Sequence, residues 1–318
     1  MKLSEFYRKA LSAAIENDPR GKEFVEQELA RKKKDFEKLT GEEKENFDPE
    51  SLLNPYADSK MLYGTGDEEI KRVLVGIDID VSELLLAESL RAKGRSVDLV
   101  LAHHPEGRAY ANLYNVMNMQ ADILHRFGVP INTAEALMES RVKEVERKLM
   151  PANHSKTVDA ARLLNIPLIC LHTMADNMVA TFLQQNFEDK KPYTLDDVIT
   201  MLNEIPEYKV AKKESFGPRI LIGSKNRKAG KIFVDMTGGT EGSKEIFSSL
   251  SLSGINTIVG MHLSEDHRKE AEKNNINVVI AGHIASDNLG LNLLFDQISK
   301  GDEIEFLECS GFRRVSRT

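Results

Sequence analysis

The sequence predicts an α/β protein with two βα-rich halves, whose mainly parallel or mixed sheets are covered by helices, and with an N-terminal helical extension. Short apolar runs alternate with segments of helical periodicity, and this alternation is typical of strands buried on both faces of a sheet. The 318 residues are 41% hydrophobic and 29% charged, a globular composition that allows one large or two ordinary domains. We therefore predict an extension over 1–60, a first half over 61–194 and a second half over 195–318.

The N-terminal extension is predicted from an amphipathic pattern. Its apolar residues recur at roughly helical spacing among charged ones, namely Phe24, Val25, Leu29, Phe36 and Leu39. The basic block 31–34 fits the solvated face of such a helix. Pro49 and Pro55 indicate that 46–58 is a linker.

The first half begins with apolar runs of strand length. Its predicted elements are a strand over 72–79 (RVLVGIDI), a helix over 82–91 with Ser82 as N-cap, a strand over 97–102 (VDLVLA), a helical insertion over about 111–150 and a short buried strand over 166–171 (IPLICL). This alternation favours a mainly parallel sheet.

The second half opens with a helix and then repeats the alternation. Helices are predicted over 194–203, 243–250, 265–273 and about 288–298, and strands over 231–236, 257–261, 278–281 and 303–307. The glycine-rich segment 236–242 fits either a plain turn or a loop whose N–H groups hold an anion. It is not a phosphate-binding P-loop, because the Gly-Lys-Ser/Thr ending is missing.

Charge and composition argue against several classes of function. The net charge of −7, the 6% aromatic content and the lack of tryptophan give no general case for nucleic-acid binding. The first 14 residues lack the apolar core of a secretory signal, and no run approaches the roughly 18 apolar residues of a membrane span. Two cysteines are too few for a disulfide framework. We expect a cytoplasmic protein that binds neither nucleic acid nor membrane.

Two adjacent histidines follow the strand over 97–102. His103 and His104 precede Pro105, at the carboxyl end of a buried strand, where open α/β sheets place their ligands. Because the chain can turn there, the two imidazoles either converge on one ion or serve two. The alternative is one buried, hydrogen-bonded histidine beside a solvated one.

Two further clusters also follow apolar strands. Asp176 lies in the segment His-Thr-Met-Ala-Asp-Asn after the strand over 166–171, where it could bind a hard cation or simply form a cap or a turn. His283 and Asp287 follow the strand over 278–281 at the i, i+4 spacing that brings two ligands together on a helix. The alternative there is that Ser286 or Asp287 caps the last helix.

Together these clusters predict a metal site formed by His103, His104, Asp176, His283 and Asp287. Histidine and carboxylate ligands without a cysteine cluster suit Zn, Fe, Mn or Mg, and open coordination positions favour catalysis. His262 and His267 are candidate catalytic or supporting groups, although either could be a surface histidine. Asp78 and Asp80, at the end of the first strand, could also reach the site.

The ordered set of motifs resembles the Nif-three-like dinuclear-metal-centre family, whose members are also called GTP cyclohydrolase I type 2 homologues. The resemblance covers roughly 70–300 and is carried by VLVGIDIDVSELLLAESL, DLVLAHHPEG, LHTMADN, MTGGTEGSKEIF and VVIAGHIASDNLG. It implies that the five residues hold two divalent ions, most simply Zn, Fe or Mn, with Asp176 as the bridge between them. It also implies a toroidal homohexamer.

Three features depart from the family pattern. The last acidic ligand is Asp287 where the family usually has the longer Glu, the interval from His104 to Asp176 is longer than usual, and the first 60 residues lie outside the common core. We therefore carry no substrate over from the family. The main hypothesis is a metal-dependent hydrolase that acts on a nucleotide or another phosphate or cyclic amide compound. The alternative is a non-catalytic metal-binding or regulatory hexameric assembly.

Overall fold

The computed structural model describes residues 1–317, and within them nine strands form two sheets. The strands are β1 (Ser59–Tyr63), β2 (Arg72–Gly76), β3 (Leu99–Ala102), β4 (Leu168–Leu171), β5 (Arg219–Ile222), β6 (Lys231–Asp235), β7 (Ile255–Gly260), β8 (Asn277–Ile280) and β9 (Glu305–Glu308). The first sheet has the order β1-β4-β3-β2-β9 and the second the order β5-β8-β7-β6. The edge strand β1 is antiparallel to β4 in the first sheet, and the edge strand β5 is antiparallel to β8 in the second. All other strand pairs are parallel.

Helices cover these sheets. They are α1 (Leu3–Glu16), α2 (Lys22–Lys38), α3 (Gly41–Glu45), α4 (Val81–Ala92), α5 (Gly107–Ala111), α6 (Leu113–Val116), α7 (Met119–Arg126), α8 (Ile131–Leu149), α9 (Lys156–Leu164), α10 (Thr173–Lys190), α11 (Leu195–Glu204), α12 (Pro206–Lys213), α13 (Ile246–Leu252), α14 (Glu265–Lys273) and α15 (His283–Ile298). The predicted fold class, two mainly parallel or mixed sheets covered by helices, is confirmed. None of the helices in residues 1–317 combines the length and apolar character needed to cross a membrane.

The first sheet is buried on both faces, which explains its continuous apolar strands. Alternate residues point to opposite sides. In β2, Val73 and Val75 join a core that includes residues of α1, α10 and α15, whereas Leu74 joins a separate core with α4 and α9. In register, Gly76 pairs with Ala102, and Ala102 pairs with Cys170. The residues that follow β3 and β4 therefore emerge side by side at one edge.

Helices α10 and α15 connect the two sheets, because their apolar residues belong to cores that involve strands of both. They approach each other closely at Gly290. A Cβ added there would lie 2.4 Å from the carbonyl oxygen of Ala175, a distance that real side chains do not tolerate. Only glycine allows this approach, which brings the first turn of α10 against the middle of α15.

Several details differ from the sequence-based expectation. Helix α1 belongs to the main core, since Leu3, Phe6 and Ala10 are fully buried. Strands β1 and β5 were not predicted; they have only five and four residues, too few for a reliable pattern. Strand β9 lies in the part assigned to the second half, but it pairs with β2 in the first sheet. The halves themselves remain a prediction.

The N-cap of α4 is Asp80, so the prediction of Ser82 was wrong. The Asp80 side chain accepts the Val81 N–H at 2.6 Å, and the Glu83 carboxylate accepts the Asp80 N–H at 2.8 Å. An acidic cap with a glutamate three residues later satisfies two free N–H groups of the first turn. Ser82 is already inside the helix.

Candidate metal centre

Six side chains converge in one cleft at the carboxyl ends of β3, β4 and β8. They are His103, His104, His172, Asp176, His283 and Asp287. Five are the residues predicted as ligands, and His172 is an addition. Three overlapping triads among them, two of which include Asp287, have ligand atoms that all lie within 4.8 Å of one another. Each such triad has the donor types and the proximity to hold a cation.

The two adjacent histidines converge because the backbone turns after β3. The His103 N–H donates to Gly76 O and the His104 N–H to Ile77 O, so the chain stays paired with the end of β2. The two ring centroids lie 5.2 Å apart. His103 is buried, whereas His104 is partly exposed toward the cleft.

Each of three histidines has its Nδ1 atom next to a hydrogen-bond acceptor. For His103 this acceptor is the carbonyl oxygen of Leu171 at 3.2 Å. For His104 it is Asp78 Oδ1 and for His172 it is Asp58 Oδ2, both at 2.7 Å. Because these oxygens accept hydrogen bonds, Nδ1 carries the proton in the neutral ring and the lone pair belongs to Nε2. Histidines that bind a metal usually make such a hydrogen bond with the ring nitrogen that does not contact the ion.

The Nε2 atoms face the two buried carboxylates. His103 Nε2 lies 3.5 Å from both Asp176 Oδ1 and Asp287 Oδ1. Two ligand atoms bound to one tetrahedral ion at about 2.0–2.2 Å would lie roughly 3.3–3.6 Å apart, so this spacing suits a shared cation better than a direct hydrogen bond.

The outer histidines repeat this spacing. The Nε2 atoms of His104 and His283 each lie 3.7 Å from Asp287 Oδ2. His172 Nε2 lies 3.7 Å from Asp176 Oδ2. Each carboxylate therefore presents its two oxygens to different histidines.

Four atoms in this cluster are buried without a hydrogen-bond partner. They are His103 Nε2, Asp176 Oδ1 and both carboxylate oxygens of Asp287, and in residues 1–317 only one further buried side-chain atom, on Asn203, shares this condition. A buried polar atom without a partner costs roughly 1–3 kcal/mol. Cations bound in the cluster would satisfy these four atoms, so the residues fit a metal.

The ionisation of the cluster shows how strongly its charges interact. Burial lowers the pKa of His172, but Asp176 and Asp58 more than offset this and raise it to about 9. Burial together with the neighbouring His103 and His172 lowers the pKa of His104 to about 4. Burial raises the pKa of Asp176 to about 6. Near pH 7, His172 therefore carries a proton on Nε2 in the metal-free protein. A metal ion would have to displace this proton in order to bind that nitrogen.

Helices α10 and α15 position the carboxylates. Helix α15 begins at His283 with Gly282 as N-cap, so Asp287 lies one turn inside the helix and does not cap it. Asp176 likewise lies within the first turn of α10. The N-cap alternatives for Ser286, Asp287 and Asp176 therefore do not hold.

The two candidate catalytic histidines have different surroundings. His262 Nδ1 lies 3.3 Å from Glu241 Oε1, and its half-exposed ring packs edge-on against His283 with centroids 4.9 Å apart. His267 has both ring nitrogens occupied, with Nδ1 2.6 Å from Ser264 Oγ and Nε2 3.1 Å from Gly242 O. Burial raises the pKa of Glu241, but His262 and the Ser264 N–H reverse this and lower it to about 2. Glu241 is thus an anion that holds His262.

The glycine-rich segment 236–242 borders the cleft and rests on the helical insertion. Gly238 and Gly239 have positive φ angles of 94° and 90°. The Gln120 side chain of α7 donates to Gly238 O at 2.6 Å and to Thr240 O at 2.8 Å. The insertion therefore supports this loop. A cavity of 490 Å³, lined by His104, His172 and His283 among others, leads from the surface to the cluster.

Sequence reasoning missed His172, Asp58 and Glu241. His172 stood in the quoted segment before Asp176, and its i, i+4 spacing to Asp176 equals that of His283 and Asp287, so a signal was present. Asp58 lies in the stretch predicted as a linker, and only β1 pairing with β4 brings it to His172. Asp78 reaches the site through His104, as the sequence suggested, whereas Asp80 caps α4.

The fold is similar to solved structures. A NIF3 superfamily protein from Sphaerobacter thermophilus aligns with a TM-score of 0.70 and 28% identity, over 80% of this chain and 91% of that chain. Reduced HcgD from Methanocaldococcus jannaschii aligns with a TM-score of 0.49 and 16% identity over 83% and 93%. A Bacillus cereus protein related to NIF3 aligns with 0.41 and 11% over 79% and 91%. No protein-family model matches the sequence, and no curated protein does.

Proposed function

Since the chain belongs to the NIF3 fold family, as its motifs predicted, we propose that it is a dinuclear metal-binding protein and a metal-dependent hydrolase. The observation that carries this proposal is the set of four buried, unpartnered ligand atoms on His103, Asp176 and Asp287. The proposed substrate is a nucleotide or another phosphate or cyclic amide compound. A cleft that opens onto the cluster supports catalysis over a closed structural site.

The proposed ligands are the six clustered side chains, for two ions per chain, with Zn, Fe or Mn preferred by the imidazole and carboxylate donors. Either aspartate could bind both ions, because each turns its two carboxylate oxygens toward different histidines. Asp287 presents Oδ1 to His103 and Oδ2 to His104 and His283, and Asp176 presents its oxygens to His103 and His172. The family resemblance implies that Asp176 is the bridge between the ions. In this structure Asp287 has the same arrangement of its two oxygens, so it is an equal candidate.

The protein groups around the ions would orient the reaction. Divalent ions held there would supply Lewis acidity and lower the pKa of a water molecule so that it can act as nucleophile. Asp58 and Asp78 hold the His172 and His104 rings in the tautomer that binds metal. His262, held by Glu241 beside His283, is placed to transfer a proton at its other nitrogen. His267 is the weaker candidate, because both its nitrogens contact other groups.

We also propose a homohexamer in the cytoplasm. The family resemblance implies the assembly, and the small number of cysteines supports a reducing compartment.

Elemental analysis tests the metal centre directly. The purified protein is compared with a His103→Ala/Asp176→Ala variant and with a matched His125→Ala/Asp159→Ala control, whose two residues are exposed and lie outside the cluster. We expect about two divalent ions per chain in the parent and the control, and nearly none in the first variant. The metal found then defines the ion for hydrolase screening. A parent that takes up no stoichiometric metal after reconstitution would overturn the proposal.

A further inference from the structure

A second cavity, of 530 Å³, adjoins the cleft of the metal centre. Residues of α7, α8, α10, β6 and α13 line it. Asp235, Met236, Thr237, Gly242, Ile258 and His267 line both this cavity and the cleft. Its volume lies within the range of about 300–1,000 Å³ that is typical of small-molecule sites.

The walls of this cavity combine polar and apolar surface, and aromatic rings form part of the apolar side. The rings of Phe127 and Phe233 lie 4.6 Å apart, and Phe247, Leu124 and Met138 line the same space. Such walls bind a flat or ring-shaped organic group through burial of its apolar faces.

One charged group in the cavity has no partner. Asp235 ends β6, its side chain is exposed to the cavity, and no hydrogen bond or ion pair involves its carboxylate among residues 1–317. By contrast, two other polar side chains that line the cavity have partners: the Lys231 amine donates to Phe127 O at 3.0 Å, and the Gln184 amide oxygen accepts the Val234 N–H at 3.0 Å. A free carboxylate at the rim of a partly apolar pocket selects for a cationic group or for N–H donors.

We infer that this cavity binds the organic body of the substrate, a ring compound with a cationic or N–H donor edge that pairs with Asp235. The reactive group of the same molecule lies beyond Thr237, in the cleft of the metal centre. The inference rests on the proposed function for the reaction, but the binding of the ring depends only on the cavity. Asp235 is thus a specificity residue and not a metal ligand.

The test uses the metal-loaded full chain labelled with ¹³C at its methionine methyl groups. The signals of Met138 and Met236, which line the cavity, are assigned by single Met→Leu variants. The protein is titrated with benzamidine, which has a cationic N–H edge, and with benzoate and benzyl alcohol, which have rings of the same size. We expect benzamidine to shift both signals saturably and to bind more tightly than the other two.

Asp235→Asn should weaken benzamidine binding roughly tenfold or more, since it removes a charge-assisted pair, and should leave benzyl alcohol unaffected. The metal content of this variant should not change. Asp287→Asn, which targets the metal centre, should keep benzamidine binding while losing metal.

Equal binding of benzoate and benzamidine, unshifted Met138 and Met236 signals, or unchanged benzamidine affinity in Asp235→Asn would each overturn the inference. A metal-loaded protein that binds benzamidine as expected but hydrolyses no substrate would count against the proposed function alone.

Discussion

The close contact between α10 and α15 makes a specific prediction about Gly290. An alanine there places its Cβ 2.4 Å from Ala175 O, whereas an ordinary contact needs about 3.4 Å, so the helices must separate by roughly 1 Å. Overpacking of this size costs about 1–3 kcal/mol, which outweighs the gain of about 1 kcal/mol from replacing glycine in a helix. After this gain is subtracted, we expect the free energy of unfolding to fall by up to about 2 kcal/mol.

The same shift should weaken metal binding. Asp176 lies on α10, and His283 and Asp287 lie on α15, so a separation of the helices changes the distance between the two carboxylates. Metal sites need ligand atoms placed within a few tenths of an ångström. We expect Gly290→Ala to lower metal affinity at least tenfold, as measured by competition with a chromogenic chelator.

Gly260→Ala is the matched control. Its added Cβ would lie 3.5 Å from its nearest neighbours, which is ordinary contact, and Gly260 carries no proposed ligand. Urea unfolding and chelator competition are run on both variants. If Gly290→Ala keeps the stability and metal affinity of the parent, then the close helix approach does not position the carboxylates and our reasoning about α10 and α15 is wrong.

Three further predictions concern the groups around the cluster. Asp58→Asn should weaken metal binding about 10–100-fold by removing the charged partner of His172 Nδ1, as chelator competition would show against the exposed control Asp159→Asn. Metal affinity should increase as the pH is raised from 6 to 9, because the pKa of His172 in the metal-free protein is about 9 and a metal ion must displace its proton. Calorimetry in buffers of different ionisation enthalpy should detect this proton release near pH 7. A metal affinity that does not change with pH would contradict the prediction. Glu241→Gln should lower kcat about 10–100-fold and shift the acid limb of the pH profile of kcat, because the Glu241 carboxylate holds His262 and raises its pKa. The metal content of this variant should not change.

Local patterns in the sequence were sufficient to predict most elements near the site. The apolar runs before His103, Asp176 and His283 are strands or strand-to-helix junctions, because buried parallel strands need continuous apolar residues. The carboxyl ends of such strands meet at a common edge, so the convergence of the predicted ligands could be inferred before any contact was known.

The tertiary structure decided what long-range packing controls. Asp58 reaches His172 across 114 positions of sequence, because the short edge strand β1, which was not predicted, pairs with β4. Likewise β9 returns to the first sheet, although nothing in 303–307 indicates its partner. Strand pairing is chosen by competition among many apolar segments, and a single sequence does not reveal the outcome of that competition.

The sequence by itself therefore determined the kinds of ligand atom and the strand ends on which they lie, because composition and period encode local structure. The tertiary structure decided which oxygen faces which nitrogen, which ring nitrogen carries the proton and where Asp235 opens into a cavity. Those properties depend on distances of a few tenths of an ångström between segments far apart in the chain, and such distances arise only when the helices and sheets have packed together.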